Sequence, residues 1–171
     1  MPASTTKKVC VQRFDREPLT GFVNPQTFLA VEGVELLSPS GEFAIIPYRD
    51  IKMVSFVREF DSPEAEPDRK VFSTRPKTTG LWVRMFMKDG DLLDGILSND
   101  LLQLQPAGFT VVPPDASGNH QKLFIPRAAL SAIQVLGVVG SPLTRRKKPA
   151  PVPEEQIGLF DDEEPGGVPS N

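Results

Sequence analysis

Two segments of this chain carry the same pattern of residues, and this internal similarity restricts the folds that are open to it. Residues 8–60 begin with the stretch KVCVQRFDREPLTGFV, and residues 80–140 begin with the matching stretch GLWVRMFMKDGDLLDGIL. Each segment later reaches an Ile-Pro dipeptide, and the apolar residues that follow it stand at identical offsets. They are Ile51 and Val54 after Ile46-Pro47, and Leu130 and Ile133 after Ile125-Pro126. Such self-similarity predicts that one structural unit occurs twice.

Apolar and polar residues alternate with a period of two over most of both segments, which is typical of β-strands. The second strand of each segment reaches a glycine, Gly21 or Gly95. The sequence KDGD at 88–91 is a hairpin signal, because Asp-Gly accepts the positive φ angles of a tight turn. The residues after each Ile-Pro fit one 3₁₀ turn, since proline presets φ for such a start. We therefore predict an all-β fold of two tandem small β-barrels, with the apolar residues around each Ile-Pro in equivalent core positions.

Two proline-rich stretches divide the rest of the chain. Residues 61–79 hold three prolines and mixed charge, which predicts a linker with Val71 and Phe72 as its apolar anchor. Residues 141–171 hold six prolines, a basic block and an acidic block, and they cannot bury enough surface to offset the entropy of ordering. The predicted domains are a first barrel at 1–60, a linker at 61–79, a second barrel at 80–140 and a disordered tail at 141–171.

The content of charged, cysteine and histidine residues excludes several classes of function. One cysteine, Cys10, and one histidine, His120, exclude a disulfide framework and a zinc site with several His or Cys ligands. Of the net charge of −3, the first 140 residues hold only −1, so they lack the positive field of strong non-specific nucleic-acid binding. Neither a Walker A loop nor a G-x-S-x-G nucleophile motif occurs. We therefore predict a non-enzymatic protein that needs no cofactor.

The hydropathy of the chain bears on its location. The N-terminus is polar, and the most apolar run, residues 132–140, has half the length that is needed to span a bilayer. We therefore expect a cytoplasmic protein that makes no contact with a membrane.

A few side chains are candidates for chemistry, and each has a simpler structural interpretation. Three carboxylates, Asp89, Asp91 and Asp94, form a local acidic cluster, but their spacing does not match a calcium-binding loop. We expect all three to be solvated residues of a hairpin. His120 is expected to be exposed in a loop, and Cys10 to be buried in a strand, where a thiol stays inert.

The order of alternating strand, turn, strand ending at Gly, loop with Asn or Asp, two more strands and a short last strand resembles the Sm-like and Hfq-like barrels. It also resembles other SH3-like small barrels. The stretches GLWVRMFMKDGDLLDGILSND and GFTVVPPDASGNHQKLFIPRAAL are also similar to a bacterial family of uncharacterised proteins. The fold that these resemblances imply is a pair of tandem Sm-like/SH3-like small β-barrels followed by the disordered tail.

The Sm-like resemblance implies RNA binding at the loops after the second and fourth strands. Asn24, Asn99 and Asp100 match the first of these loop positions. At the second position an Ile-Pro pair stands where the family has Arg-Gly, and Arg127 is the basic residue directly after it. RNA binding, expected to be weak, is therefore the alternative function, and the other interpretation of these asparagines is that they cap turns.

A short peptide in the tail stands out from its polar surroundings. Gln156, Ile157, Gly158, Leu159 and Phe160 resemble the Gln-x-x-Leu-Phe peptide with which bacterial proteins dock on the replication sliding clamp. The resemblance implies a glutamine that hydrogen-bonds at the rim of a cleft and a Leu-Phe pair that fills it. The other interpretations are a tail that folds back onto its own barrel and an anchor for some other partner. The favoured function is an adaptor that acts through protein–protein contacts, with oligomer formation left open.

Overall fold

The alternating segments form ten β-strands and three single 3₁₀ turns in a computed structural model that describes residues 5–60, 67 and 69–140. The strands of the first half are β1 (Lys7–Arg13), β2 (Leu19–Val23), β3 (Gly33–Leu37), β4 (Phe43–Pro47) and β5 (Ile51–Val57). Those of the second half are β6 (Gly80–Met87), β7 (Leu92–Leu97), β8 (Gly108–Val112), β9 (His120–Pro126) and β10 (Leu130–Val139). The 3₁₀ turns are Tyr48–Asp50, Leu101–Gln103 and Arg127–Ala129.

All ten strands belong to one antiparallel sheet, in the order β10-β6-β7-β8-β9-β5-β1-β2-β3-β4. The prediction of an all-β fold is confirmed, whereas the prediction of two separate barrels is wrong because the sheet is single and open. The two halves join where β5 pairs with β9, with Val54 opposite Phe124. Both of these side chains are fully buried, so separating the halves would expose apolar surface. Within each half the order is the same: the fifth strand, then the first, second, third and fourth.

Local stereochemistry accounts for the turns that the sequence predicts. Gly90 has a φ of +92°, which suits glycine, and Met87 N–H donates to Asp91 O at 2.8 Å to close the β6–β7 hairpin. Pro47 precedes the 3₁₀ turn Tyr48–Asp50 with a φ of −59°, and Pro126 precedes the 3₁₀ turn Arg127–Ala129 with a φ of −60°. These predictions are confirmed because each depends on residues adjacent in sequence.

The apolar side chains form two clusters, and each cluster takes a residue from the other half. Phe124 of β9 packs with Val9, Val11 and other residues of the first half, and Met53 of β5 packs in the cluster of the second half. The described residues of the two halves accordingly form one compact unit. Ile125 is buried as predicted, but Ile133 is 39% exposed, because β10 has a neighbouring strand on one side only among the described residues.

The segment before the second half is held to the sheet. The Phe72 ring meets the Trp82 ring edge to face, with centroids 6.1 Å apart, while Val71 is exposed. Of the predicted linker anchor, Phe72 is therefore confirmed. The predicted tail, with its peptide at 156–160, lies outside the described residues. None of the described helical turns has the length or apolar character of a membrane span.

Candidate functional site

The outer side of β4 is an open sheet edge that bears apolar side chains. Phe43 is 63% exposed and Ile45 is 47% exposed. Opposite Ile45 lies Glu35, whose backbone N–H donates to Phe28 O at 2.8 Å, away from β4. Glu35 and Ile45 therefore form a non-hydrogen-bonded pair of the antiparallel ladder, in which the backbone groups of the two residues point away from each other. The N–H and C=O groups of Ile45 accordingly point outward from the sheet.

The outer side of β10 is the second open edge. Its three exposed large apolar residues are Ile133, Val135 and Val138. Within the described part of the chain, β6 is the single strand that pairs with β10, and β3 is the single strand that pairs with β4. No second strand covers either side within the described residues, although the Val138 carbonyl of β10 accepts from Arg75 Nη2 at 2.8 Å. We call these two sides the free edges. Neither β4 nor β10 contains a charged residue, although charges are a common device that keeps other strands away from a sheet edge.

Asp94 is buried at the centre of a polar cluster on β6 and β7. The register of the hairpin places it opposite Arg84, which donates from Nε to Oδ1 at 2.7 Å and from Nη2 to Oδ2 at 3.0 Å. Trp82 Nε1–H donates to Oδ2 at 3.2 Å. Hydrogen bonding to this carboxylate raises the pKa of the Arg84 guanidinium. The prediction that Asp94 is solvated is wrong, because its partners satisfy the carboxylate inside the protein.

The same aspartate attaches the segment before β6. Its backbone N–H donates to Lys70 O at 2.6 Å, and its Oδ2 accepts from the Phe72 N–H at 3.4 Å. The cluster therefore has a structural role, since its hydrogen bonds join residues 70–72 to the sheet.

The other two acidic residues of the hairpin are neutralised by lysines. Lys52 of β5 is buried, and its Nζ lies 2.7 Å from Asp89 Oδ2 and 2.5 Å from Asp91 Oδ2. Lys70 Nζ lies 3.2 Å from Asp91 Oδ2. The hydrogen bond from Lys52, assisted by that from Lys70, lowers the pKa of Asp91. Among the described residues, no group of His, Cys, Asp and Glu side chains is arranged to hold a metal ion.

The remaining candidates of the second half and of β1 are buried. His120 is the first residue of β9 and is 5% exposed, so the prediction of an exposed loop residue is wrong. It lies opposite Val57 where β9 meets β5. Cys10 is buried as predicted, and burial raises the pKa of its thiol.

The residues of the alternative RNA site make contacts within their own loops. Asn24 Oδ1 accepts from the Gln26 N–H at 3.0 Å, and Asp100 Oδ1 accepts from the Leu102 N–H at 3.0 Å, so both side chains cap turns. Asn99 is exposed.

Arg127 donates from Nε to Pro106 O at 3.0 Å, and its guanidinium lies 4.6 Å from the centroid of the Phe109 ring. The adjacent cavity, of about 480 Å³, is lined mostly by apolar groups, from Leu29, Ala30, Val31, Tyr48, Gln105, Pro106 and Ala107. This lining offers little positive charge to a phosphate backbone.

Comparison with known proteins adds the family. The sequence profile of a family of unknown function (DUF6982) matches residues 5–137. The chain belongs to the DUF6982 family. No curated protein and no solved structure gives a significant match to it. The DUF6982 match extends over both halves, so the β5–β9 junction and β4 lie inside it and β10 lies almost wholly inside it.

Sequence reasoning missed the free-edge residues as a site. The uncharged stretches FAIIP at 43–47 and LSAIQVLGVV at 130–139 were the available signal. That signal is ambiguous, because the buried strand β5 is also rich in apolar residues. The candidates of the tail peptide, Gln156, Ile157, Leu159 and Phe160, lie outside the described residues.

Proposed function

We propose that this chain is a non-enzymatic adaptor that binds proteins by adding a partner strand to its free edges. The observation that carries the proposal is that β4 and β10 each have a side that pairs with no strand among the described residues, together with exposed apolar side chains and no charged residue. Strand addition takes its affinity from main-chain hydrogen bonds and its specificity from alternate side chains. Both contributions are available at these edges.

The proposal includes an architecture of two Sm-like units, one in each half. The shared strand order supports it. So does a pair of close approaches: a Cβ added at Gly33 would overlap the carbonyl of Ile46, and a Cβ added at Gly108 would overlap the carbonyl of Ile125. In each half this glycine lies opposite the proline of the Ile-Pro pair, and a 3₁₀ turn follows that proline.

The test is a capture experiment with the full chain, in a lysate of its source cells treated with nuclease. We expect the wild-type chain to retain at least one protein that is lost with Phe43→Lys/Ile45→Lys or with Ile133→Lys/Val135→Lys. Val31→Lys is the matched control, because Val31 is 98% exposed and lies in the β2–β3 loop, outside β4 and β10. Capture that depends on intact nucleic acid would favour the RNA-binding alternative. Capture that both edge variants retain would contradict strand addition.

The tail peptide at 156–160 supplies the adaptor with a second contact. Its Gln-x-x-Leu-Phe spacing supports docking on the bacterial sliding clamp, as the sequence analysis predicts. A peptide of this length can order locally in a cleft while the sheet remains tethered to it.

A further inference from the structure

We infer that the partner at the free edges is a second copy of this chain, with β10 of one copy paired antiparallel to β4 of the next. The inference rests on the proposed function, because it requires the edges to accept strands. It specifies the partner, the pair of edges and the register.

The chain itself contains the template for this contact. In the order shared by the two halves, β4 holds the place of β9, and β10 holds the place of β5. The strands β5 and β9 already pair with each other inside the chain. Pairing of β10 with β4 of another copy would repeat that junction between chains.

The internal junction also specifies a register. The dipeptides Ile46-Pro47 and Ile125-Pro126 can be aligned with each other. In this alignment Ile45 is equivalent to Phe124, and Phe43 is equivalent to Lys122. When residues are counted from the two prolines, Ile133 is equivalent to Val54, and Val135 is equivalent to Phe56.

In the chain Val54 lies opposite Phe124, and Phe56 lies opposite Lys122. The contact between copies would therefore place Ile133 opposite Ile45, and Val135 opposite Phe43.

This register joins the exposed apolar side chains of the two edges to each other. At the internal junction Val54 and Phe124 are both 0% exposed, whereas the corresponding Ile133 and Ile45 are 39% and 47% exposed. Six of the seven residues of β5 are buried, but one of the ten residues of β10 is buried. The difference in burial is the surface that a second copy would cover, and covering it removes apolar area from water.

The contact joins two different surfaces, so it is head-to-tail rather than symmetric. Such contacts close into rings or extend into filaments, according to the rotation between successive copies. A symmetric β4–β4 or β10–β10 pair has no counterpart in the part of the chain that the structure describes, whereas the β5–β9 junction is a direct counterpart of the β10–β4 pair.

The experiment is sedimentation equilibrium of the full chain up to about 100 μM, a range that detects weak association. We expect the wild-type chain and Val31→Lys to assemble. We expect Phe43→Lys/Ile45→Lys and Ile133→Lys/Val135→Lys each to sediment with the mass of one chain, since lysine on an edge strand opposes pairing.

Mixing the two double variants tests the head-to-tail geometry. One variant keeps an intact β10 and the other keeps an intact β4, so an equimolar mixture should form a species of two chains and no larger one. The inference is overturned by a wild-type chain that stays monomeric throughout this range. It is also overturned if either double variant assembles alone, or if the mixture stays monomeric.

Two measures keep the result unambiguous. Thermal melting verifies that each variant is folded, and the single variants Ile45→Lys and Ile133→Lys replace any double variant that melts early. The capture experiment with the full chain separates the two proposals. A monomeric wild-type chain that still captures a protein through its edges would refute self-assembly alone, whereas failure in both experiments would refute both.

Discussion

Arg84 and Asp94 face each other across β6 and β7, and the fully buried carboxylate of Asp94 accepts two hydrogen bonds from the guanidinium. The corresponding cross-strand pair of the first half, Cys10 and Thr20, carries no charge. The ion pair is therefore a feature of the second half, where a preceding segment has to be attached to the sheet.

Removing the Asp94 carboxylate should destabilise the protein strongly. We expect Asp94→Ala to lower the free energy of unfolding by about 1–3 kcal/mol, because the Trp82 Nε1–H, the Phe72 N–H and the partly exposed Arg84 guanidinium lose their acceptor. Asp94→Asn should cost less, since the amide keeps the shape and an acceptor oxygen. Urea denaturation measures both, with the exposed Thr20→Ala as a control that changes stability by less than about 0.5 kcal/mol. Equal stability of Asp94→Ala and the wild type would contradict the role of this pair.

Loss of the Phe72 ring should release the segment before β6 and leave the core intact. We expect Phe72→Ala to make cleavage by trypsin after Arg69 and Lys70 several times faster. It should also shift the fluorescence of Trp82, the single tryptophan, to longer wavelength as water reaches the indole. The neighbouring Val71→Ala is the control, because Val71 is exposed. If the two variants behave alike, the Phe72–Trp82 contact does not hold the segment.

The Lys52–Asp91 interaction should appear in the pH dependence of stability. Lys52 lowers the pKa of Asp91, so its contribution is fully present above the ordinary carboxyl pKa and is lost as the pH falls through the lowered value. We expect the stability difference between the wild type and Lys52→Met to be largest near neutral pH and to shrink in acid. Lys88→Met, an exposed lysine of the same hairpin, should follow the wild-type profile. Parallel profiles for wild type and Lys52→Met would contradict the linkage.

Ser55 should be a site at which a substitution stabilises the protein. Its hydroxyl is buried on β5 and has no hydrogen-bond partner among residues 5–60, 67 and 69–140. Removing an unsatisfied buried hydroxyl avoids its desolvation cost, so Ser55→Ala should raise the free energy of unfolding by about 1 kcal/mol. Ser131→Ala provides the contrast and should not raise the free energy of unfolding, because it removes a hydroxyl that donates to Phe86 O at 3.1 Å. A loss of stability in Ser55→Ala would refute this prediction.

The tail peptide should bind a bacterial sliding clamp with modest affinity. Burial of Leu159 and Phe160 would supply about 1.5–3 kcal/mol each, and Gln156 would set the register. Fluorescence polarisation of a labelled peptide spanning 153–164 is the measurement, with Leu159→Ala/Phe160→Ala as control. No saturable binding below about 100 μM, or equal binding by the control, would eliminate the clamp as partner.

The sequence permits prediction where a residue acts on its neighbours in the chain. Gly90 forms the predicted hairpin, and Pro47 and Pro126 start the predicted 3₁₀ turns, because φ preferences operate within a few residues. The burial of Asp94 and His120 could not be predicted, since their surroundings come from strands and segments distant in sequence. Of the candidate site, the sequence shows the uncharged apolar stretches but not that they lie at edges.

By itself, then, the sequence determined the all-β class and the places of the hairpin turn and of the two 3₁₀ turns after proline. The tertiary structure decided that the halves share one sheet, and that β5 and β9 are interior strands while the corresponding β10 and β4 are free edges. Val54 and Ile133 stand at the same offset from a proline, yet one is buried and the other is exposed. The physical reason is that a strand's own residues set its alternation and turns, whereas its neighbours depend on long-range pairing that buries the most apolar surface.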